Sequence, residues 1–170
     1  MGQRDDVSLC LGLHPYFIDE HAEGDLEALN ERLDAHPEVV ALGECGIDAR
    51  FDTLGAQWHW FEAQLRLAKE RKLPVIIHCV HANDKVAKRL RQLDLPAGGV
   101  IHAFAGSPEQ AHRFLDLGYR IGLGGAVTYE RAQRLRRAVE ALPDDGYVLE
   151  SDSPDTVSYT HLTLPTICSV

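Results

Sequence analysis

Short apolar runs alternate with helix-length amphipathic stretches along most of this chain, from residue 7 to residue 152. The apolar runs are nearly continuous, which predicts strands buried on both faces, as in a parallel sheet covered by helices. Strands are predicted at 7–12, 39–44, 74–79, 99–104, 119–123 and 147–151. Helices are predicted between them at 25–35, 53–72, 83–93, 108–117 and 129–141. This alternation restricts the fold to the α/β class.

The length of 170 residues limits the number of strand–helix units. A complete (β/α)₈ barrel takes roughly 250 residues, or about 31 per unit, so this chain holds five or six units. A doubly wound open sheet shows the same alternation, but its ligands collect at one crevice where the strand order reverses. Here, polar groups end four of the six predicted strands. We therefore expect a TIM-type (β/α) barrel that is incomplete, with about six of its eight strands.

Four side chains that can bind a metal follow four different apolar runs: Glu44, His78, His102 and Asp152. In a barrel of parallel strands, ligands and catalytic groups gather at the carboxyl ends of the strands, because only the rim loops meet solvent. Carboxylates and neutral imidazoles bind divalent cations, and Asp152 could also accept a proton from an attacking water. The pattern predicts a metal-dependent active site.

Each of these residues also has an ordinary structural explanation. A buried Glu44 can pair with an arginine, and a single histidine at a strand end is more often a hydrogen-bonded core residue. Asp152 can form the turn before Pro154. Glu150 shares a strand face with Asp152, so alternation alone leaves open which of the two carboxylates meets a metal.

Composition limits the functions and the cellular compartments that are possible for this chain. A formal net charge of −9 argues against binding nucleic acid through a broad basic face. A bound divalent cation can still supply the local positive charge that a substrate phosphate needs. The four cysteines include no Cys-x-x-Cys pair, which favours a reducing compartment. The apolar run 7–13 is too short to span a membrane, so we expect a cytoplasmic protein with no membrane partner. The sequence indicates no protein partner.

Five motifs occur in order along the chain, at or near the ends of predicted strands. They are Leu11-Gly12-Leu13-His14-Pro15, Gly43-Glu44-Cys45-Gly46-Ile47-Asp48, Pro74-Val75-Ile76-Ile77-His78-Cys79, Gly99-Val100-Ile101-His102-Ala103-Phe104-Ala105-Gly106-Ser107 and Leu149-Glu150-Ser151-Asp152-Ser153-Pro154. Together they closely resemble the TatD family of metal-dependent hydrolases, and the similarity covers residues 7–155. The stretch 94–129 is most similar to the YjjV-like branch of that family.

The resemblance implies an activity. It implies a metal-dependent hydrolase of phosphodiester bonds in the intact parent, a TatD-type deoxyribonuclease that removes nucleotides from a 3′ end. The implied cofactors are divalent metal ions, two per site, with Mg²⁺, Mn²⁺ and Zn²⁺ as the candidates. The implied substrate is DNA or another nucleotide phosphodiester.

The resemblance also implies roles for individual residues. The implied metal ligands are Glu44, His78, His102 and Asp152, and the last of these would also activate the attacking water. Contact with substrate is implied for three residues in matching rim loops, which are His14, Asp48 and His81.

Both ends depart from the family pattern. The family begins with a strand that ends in a His-x-His pair of metal ligands, and this sequence contains no His-x-His. After Pro154 the sequence departs again, and we expect 157–170 to be a non-native tail. We therefore predict one domain, a partial TatD-like barrel over 1–156, with weak or no turnover by this chain alone.

Two alternative functions remain open. One is an amidohydrolase-type hydrolase of another ester or amide bond, because the rim of a barrel supports many chemistries. The other is an inactive fragment or binding domain, in which the carboxylates and histidines only hydrogen bond with one another.

Overall fold

The structure, a computed structural model, describes residues 7–151. These residues contain six strands in one parallel sheet, and strands adjacent in sequence are adjacent in space. The strands are β1 (Leu9–Leu11), β2 (Val39–Asp48), β3 (Val75–Val80), β4 (Gly99–His102), β5 (Tyr119–Leu123) and β6 (Tyr147–Leu149). The order never reverses, which excludes a doubly wound sheet. In the described part of the chain β1 and β6 do not pair with each other, so the sheet is not closed.

Helices connect the strands. The α-helices of the described residues are α1 (Asp25–Ala35), α2 (Leu54–Arg71), α3 (Asn83–Leu93), α4 (Pro108–Leu115) and α5 (Gln133–Glu140). Two 3₁₀ helices that the sequence did not predict span Pro15–Glu20 and Gly125–Thr128. The predicted α/β class, with six parallel strands and helical connections, is confirmed. None of the described helices combines the length and the apolarity that a membrane span requires.

One apolar core holds the sheet and the helices together. Ile77, Ile101 and Ile121 come from successive strands, pair in register and are fully buried. Phe61 and Leu65 of α2 belong to the same buried cluster. Residues along β3 alternate between buried and partly exposed, so the helices cover the face of the sheet that carries these isoleucines, and the other face is less buried.

Strand β2 is longer than predicted. It continues to Asp48, so Glu44 lies inside the strand and not at its end, as the sequence had suggested. The register of β2 against β3 shifts by one residue between Leu42 and Cys45. Such a bulge turns a side chain in a new direction, which explains how a residue within the strand can still belong to a site.

Candidate metal centre

Three histidine and glutamate side chains form a compact group that β1, β2 and β3 bring together. The ligand atoms of His14, Glu44 and His78 all lie within 4.8 Å of one another. His78 Nδ1 is 2.9 Å from Glu44 Oε1, and His14 Nε2 is 3.5 Å from the same oxygen. One carboxylate and two imidazoles are a donor set that divalent cations accept. His14 was predicted only as a substrate contact, and the geometry brings it among the candidate ligands.

His102 lies next to this group on β4, at the position that pairs with His78. His102 Nε2 is 3.9 Å from Glu44 Oε1, and His102 Nδ1 is 3.0 Å from Glu150 Oε2. When Nδ1 donates to Glu150, the lone pair remains on Nε2, the nitrogen nearer Glu44. Histidines that bind metals are commonly oriented by a carboxylate in this way.

Several contacts hold the Glu150 side chain next to His102. Its side chain is almost buried and also accepts a hydrogen bond from the backbone N–H of Ala103. A side chain at Gly122 would collide with the Glu150 carboxylate, so the glycine makes room for it. Glu150 thus contacts His102 through Nδ1, and the Nε2 atom of that ring faces Glu44. Asp152, the predicted catalytic residue, lies outside the described residues.

Asp48, for which the resemblance implied contact with substrate, contacts the other nitrogen of the His78 ring. Asp48 Oδ2 is 3.0 Å from His78 Nε2, and Asp48 is fully buried. Arg50 donates from Nε to Asp48 Oδ1 at 2.8 Å and from Nη2 to Oδ2 at 2.6 Å. Sequence reasoning missed Arg50, although an arginine two residues after a buried aspartate is a signal for such a pair.

The carboxylates of the site are held in their ionised form. Burial alone would raise the pKa of Glu44, but hydrogen bonds with His14 and His78, together with charge interactions with His102 and His14, hold the pKa well below its usual range. Burial likewise opposes ionisation of Asp48, and hydrogen bonds from Arg50 and His78 depress its pKa. Carboxylates bind cations in their deprotonated form, so the electrostatics fit a metal site.

The two contacts of His78 support the same conclusion. A neutral imidazole carries one N–H, so it can donate to Glu44 or to Asp48 but not to both. The remaining nitrogen has a lone pair beside an ionised carboxylate. That position suits a cation, and the donor set therefore fits a divalent metal.

His81 has a different environment. It lies in the turn after β3 with a positive φ of 54°. It lines a depression of about 290 Å³ together with Asn83, Gln110 and Arg134. Its contact with substrate remains a prediction.

Two buried glutamines on α2 anchor the segments that carry His14 and Asp48. Gln64 Oε1 accepts from the N–H of Leu13 at 2.7 Å, and Gln64 Nε2 donates to the Leu13 carbonyl at 3.1 Å. Gln57 makes the same pair of hydrogen bonds with the backbone of Asp48, at 2.7 and 3.1 Å. Each side-chain amide thus hydrogen bonds with both the N–H and the carbonyl of one residue, as the backbone of a neighbouring strand would. Sequence reasoning missed both residues, although they lie seven positions apart on the buried face of one helix.

Several known proteins are similar to this chain in sequence and in fold. Residues 1–162 match the family of TatD related DNases. An uncharacterized metal-dependent hydrolase of Haemophilus influenzae is 47% identical over 158 residues, which are 89% of this chain and 60% of the relative. The 3′-5′ ssDNA/RNA exonuclease TatD of Rahnella sp. is 40% identical over 148 residues, 84% of this chain and 56% of the relative.

A solved structure is also similar to this chain. The crystal structure of YjjV, a TatD homologue from Escherichia coli, superposes with a TM-score of 0.84 at 44% identity, and the match covers 87% of this chain and 58% of that one. The chain thus spans between 56% and 60% of the length of these relatives. The family match, the relatives and the solved structure agree, and the chain belongs to the TatD family.

Proposed function

We propose that this chain is part of a metal-dependent hydrolase of phosphodiester bonds, a TatD-type deoxyribonuclease that degrades DNA from the 3′ end in the intact parent. The observation that carries the proposal is the compact group of His14, Glu44 and His78, with their ligand atoms within 4.8 Å of one another. A relative named as a 3′-5′ ssDNA/RNA exonuclease supports the choice of substrate.

The proposed metal ligands are Glu44, His78 and His102, with His14 as a further donor. The metals would be Mg²⁺, Mn²⁺ or Zn²⁺, two per site in the intact parent. A bound divalent cation would polarise the phosphate and stabilise the negative charge that develops during hydrolysis. Glu150 would keep His102 in the required orientation through their 3.0 Å contact.

Residues of the chain itself would accept the proton of the attacking water and orient the metal ligands. Asp152, beyond the described residues, is proposed to bind metal and to accept a proton from the attacking water. Asp48 and Arg50 would fix the ring of His78 from its Nε2 side. His81 is proposed to contact substrate at the rim.

We place this activity in the cytoplasm. Cys45 and Cys79 are buried thiols without a disulfide, as expected in a reducing compartment. Burial raises the pKa of Cys79 to about 12, so this thiol stays protonated and unreactive at neutral pH.

Metal binding and DNA cleavage test the proposal separately. Calorimetric titration of the 170-residue chain with Mn²⁺ measures the first, and cleavage of a 5′-labelled single-stranded oligonucleotide measures the second. Glu44→Gln should weaken Mn²⁺ binding by at least about 10-fold, because it removes the charged ligand of the group. The control Glu140→Gln changes an exposed glutamate on α5 and should leave binding unchanged.

Three results would count against the proposal. Failure to bind Mn²⁺ would favour an inactive fragment whose polar groups only satisfy one another. Hydrolysis of p-nitrophenyl acetate without hydrolysis of DNA would favour another ester-cleaving activity. Unchanged DNA cleavage by Asp152→Asn would remove Asp152 from the mechanism.

A further inference from the structure

Three exposed aromatic side chains lie beside the candidate metal centre. Tyr16, Phe17 and Phe51 expose 49%, 53% and 45% of their surface. Large aromatic side chains are normally buried in cores or in interfaces, so a group of them at a surface indicates a binding site. These residues follow β1 and β2, the strands that also position His14 and Glu44. We call Tyr16, Phe17 and Phe51 the aromatic platform.

Ring contacts join the platform to the metal centre. The ring centroid of Tyr16 lies 5.4 Å from that of Phe51 and 5.3 Å from that of His78. The ring centroid of Phe17 lies 6.1 Å from that of His14. Two rings of the platform are thus in contact with side chains of the candidate metal centre.

Arg50 extends the platform. Its Cζ atom lies 5.8 Å from the ring centroid of Tyr16 and 5.9 Å from that of Phe51. The two hydrogen bonds to Asp48 hold the guanidinium in place, and 49% of the side chain remains exposed. Aromatic rings and guanidinium groups are the surfaces on which unpaired bases stack.

We propose that the aromatic platform and Arg50 bind an unpaired nucleobase of single-stranded DNA, next to the phosphodiester bond that is hydrolysed. This inference rests on the proposed function for the chemistry at the neighbouring site. Bases in a duplex are already stacked on their neighbours, so the platform selects a single strand. The chain has a net charge of −9 and gains little affinity from phosphates alone, which makes base stacking the main source of affinity.

Binding without cleavage tests the platform. Fluorescence anisotropy in EDTA compares a labelled thymidine hexamer with a hexamer of the same phosphates that lacks all its bases. The wild-type chain should bind the base-bearing hexamer roughly 5- to 100-fold more tightly, as expected for stacking of one or more bases. Phe17→Leu and Phe51→Leu keep an apolar side chain but remove the ring, and they should lose most of this preference without a change in affinity for the abasic hexamer.

Two further variants complete the test. Tyr129 is another exposed aromatic residue, which follows β5 and lies outside the platform. The variant Tyr129→Leu should therefore bind both hexamers as the wild type does. Phe17→Trp restores and enlarges the ring, so it should keep or increase the preference. Equal binding of both hexamers by the wild type would overturn the inference, and so would an equal loss in Tyr129→Leu. Unchanged circular dichroism and melting temperature would show that the leucine variants are folded.

The same oligonucleotides distinguish this inference from the proposed function. Cleavage of the thymidine hexamer in Mn²⁺ together with equal binding of both hexamers in EDTA would overturn the platform alone. Base-dependent binding by a chain that fails to bind Mn²⁺ in the calorimetric titration would support the platform and contradict the proposed metal-dependent nuclease.

Discussion

Individual side chains in the candidate metal centre have partners on more than one side. His78 lies between Glu44 and Asp48, and His102 lies between Glu44 and Glu150. These pairings orient each imidazole before any metal binds, which lowers the conformational entropy that binding has to overcome. Each polar group in the site is thus part of a network.

Tyr119 is the opposite case, because its buried hydroxyl has no hydrogen-bond partner among residues 7–151. An unsatisfied buried polar group costs about 1–3 kcal/mol. Tyr119→Phe should therefore raise the free energy of unfolding at pH 7 by about 1 kcal/mol. Urea denaturation followed by circular dichroism measures this change, and a destabilised variant would show that the hydroxyl has a partner after all.

The same tyrosine should make stability sensitive to alkaline pH. Burial raises the pKa of Tyr119 above its ordinary value. Above about pH 10 the unfolded tyrosine loses its proton while the folded one keeps it, so the unfolded state binds fewer protons and stability falls as pH rises. Below about pH 10 the tyrosine keeps its proton in both states, so the contribution of Tyr119 to stability is fully present. In Tyr119→Phe, urea midpoints should fall less steeply above pH 10 than in the wild type, and parallel curves would contradict this assignment.

At the level of secondary-structure elements, β2 and β3 approach each other so closely that glycine is required. A side chain at Gly46, whose φ is 152°, would overlap the carbonyl oxygen of His78. Gly46→Ala should therefore cost at least about 2 kcal/mol of unfolding free energy, because either the strand pairing or the backbone must distort.

Gly55 provides the matched control for that substitution. It lies near the start of α2, and a Cβ atom added there would meet open space, so Gly55→Ala should stabilise the chain by about 0.5–1 kcal/mol. Thermal melts of the two variants measure the contrast. Equal effects of the two substitutions would show that close strand contact at Gly46 is not the cause.

Helix α2 contributes a second constraint through its buried glutamines. Gln64→Met leaves the N–H and the carbonyl of Leu13 without their partner, which should cost about 2–4 kcal/mol of unfolding free energy. The segment that carries His14 would also lose its anchor, so Mn²⁺ affinity should fall. Urea denaturation and calorimetric titration measure the two effects.

The control for this variant is an exposed glutamine on α3. Gln92→Met should change the unfolding free energy by less than about 0.5 kcal/mol and leave Mn²⁺ affinity as it is. If Gln64→Met bound Mn²⁺ as tightly as the wild type, the anchoring of His14 would be unnecessary for the site.

At the level of the whole molecule, the described sheet has two open edges, β1 and β6. Strand edges present unpaired backbone groups that can pair with another chain. Leu9 on β1 is also 41% exposed. We predict that the 170-residue chain self-associates as its concentration rises, and that Leu9→Lys reduces this association because a charge on the edge opposes pairing.

Sedimentation velocity over a range of concentrations measures the association. Val40→Lys is the matched control, since Val40 is an exposed valine on β2, which has neighbours on both sides. It should not reduce association. A wild-type chain that stayed monomeric at all concentrations would contradict pairing through these edges.

The sequence by itself determined the α/β class, the positions of most helices and strands, and the placement of His78 and His102 at matching positions on two different strands. These features follow from apolar periodicity and from parallel pairing, which short segments express locally. Only the tertiary structure decided that His14 joins Glu44 and His78, that Glu150 contacts His102, and that Glu44 lies at a bulge within β2. Those contacts join segments far apart along the chain, and their distances depend on strand register and helix packing, which no local pattern encodes.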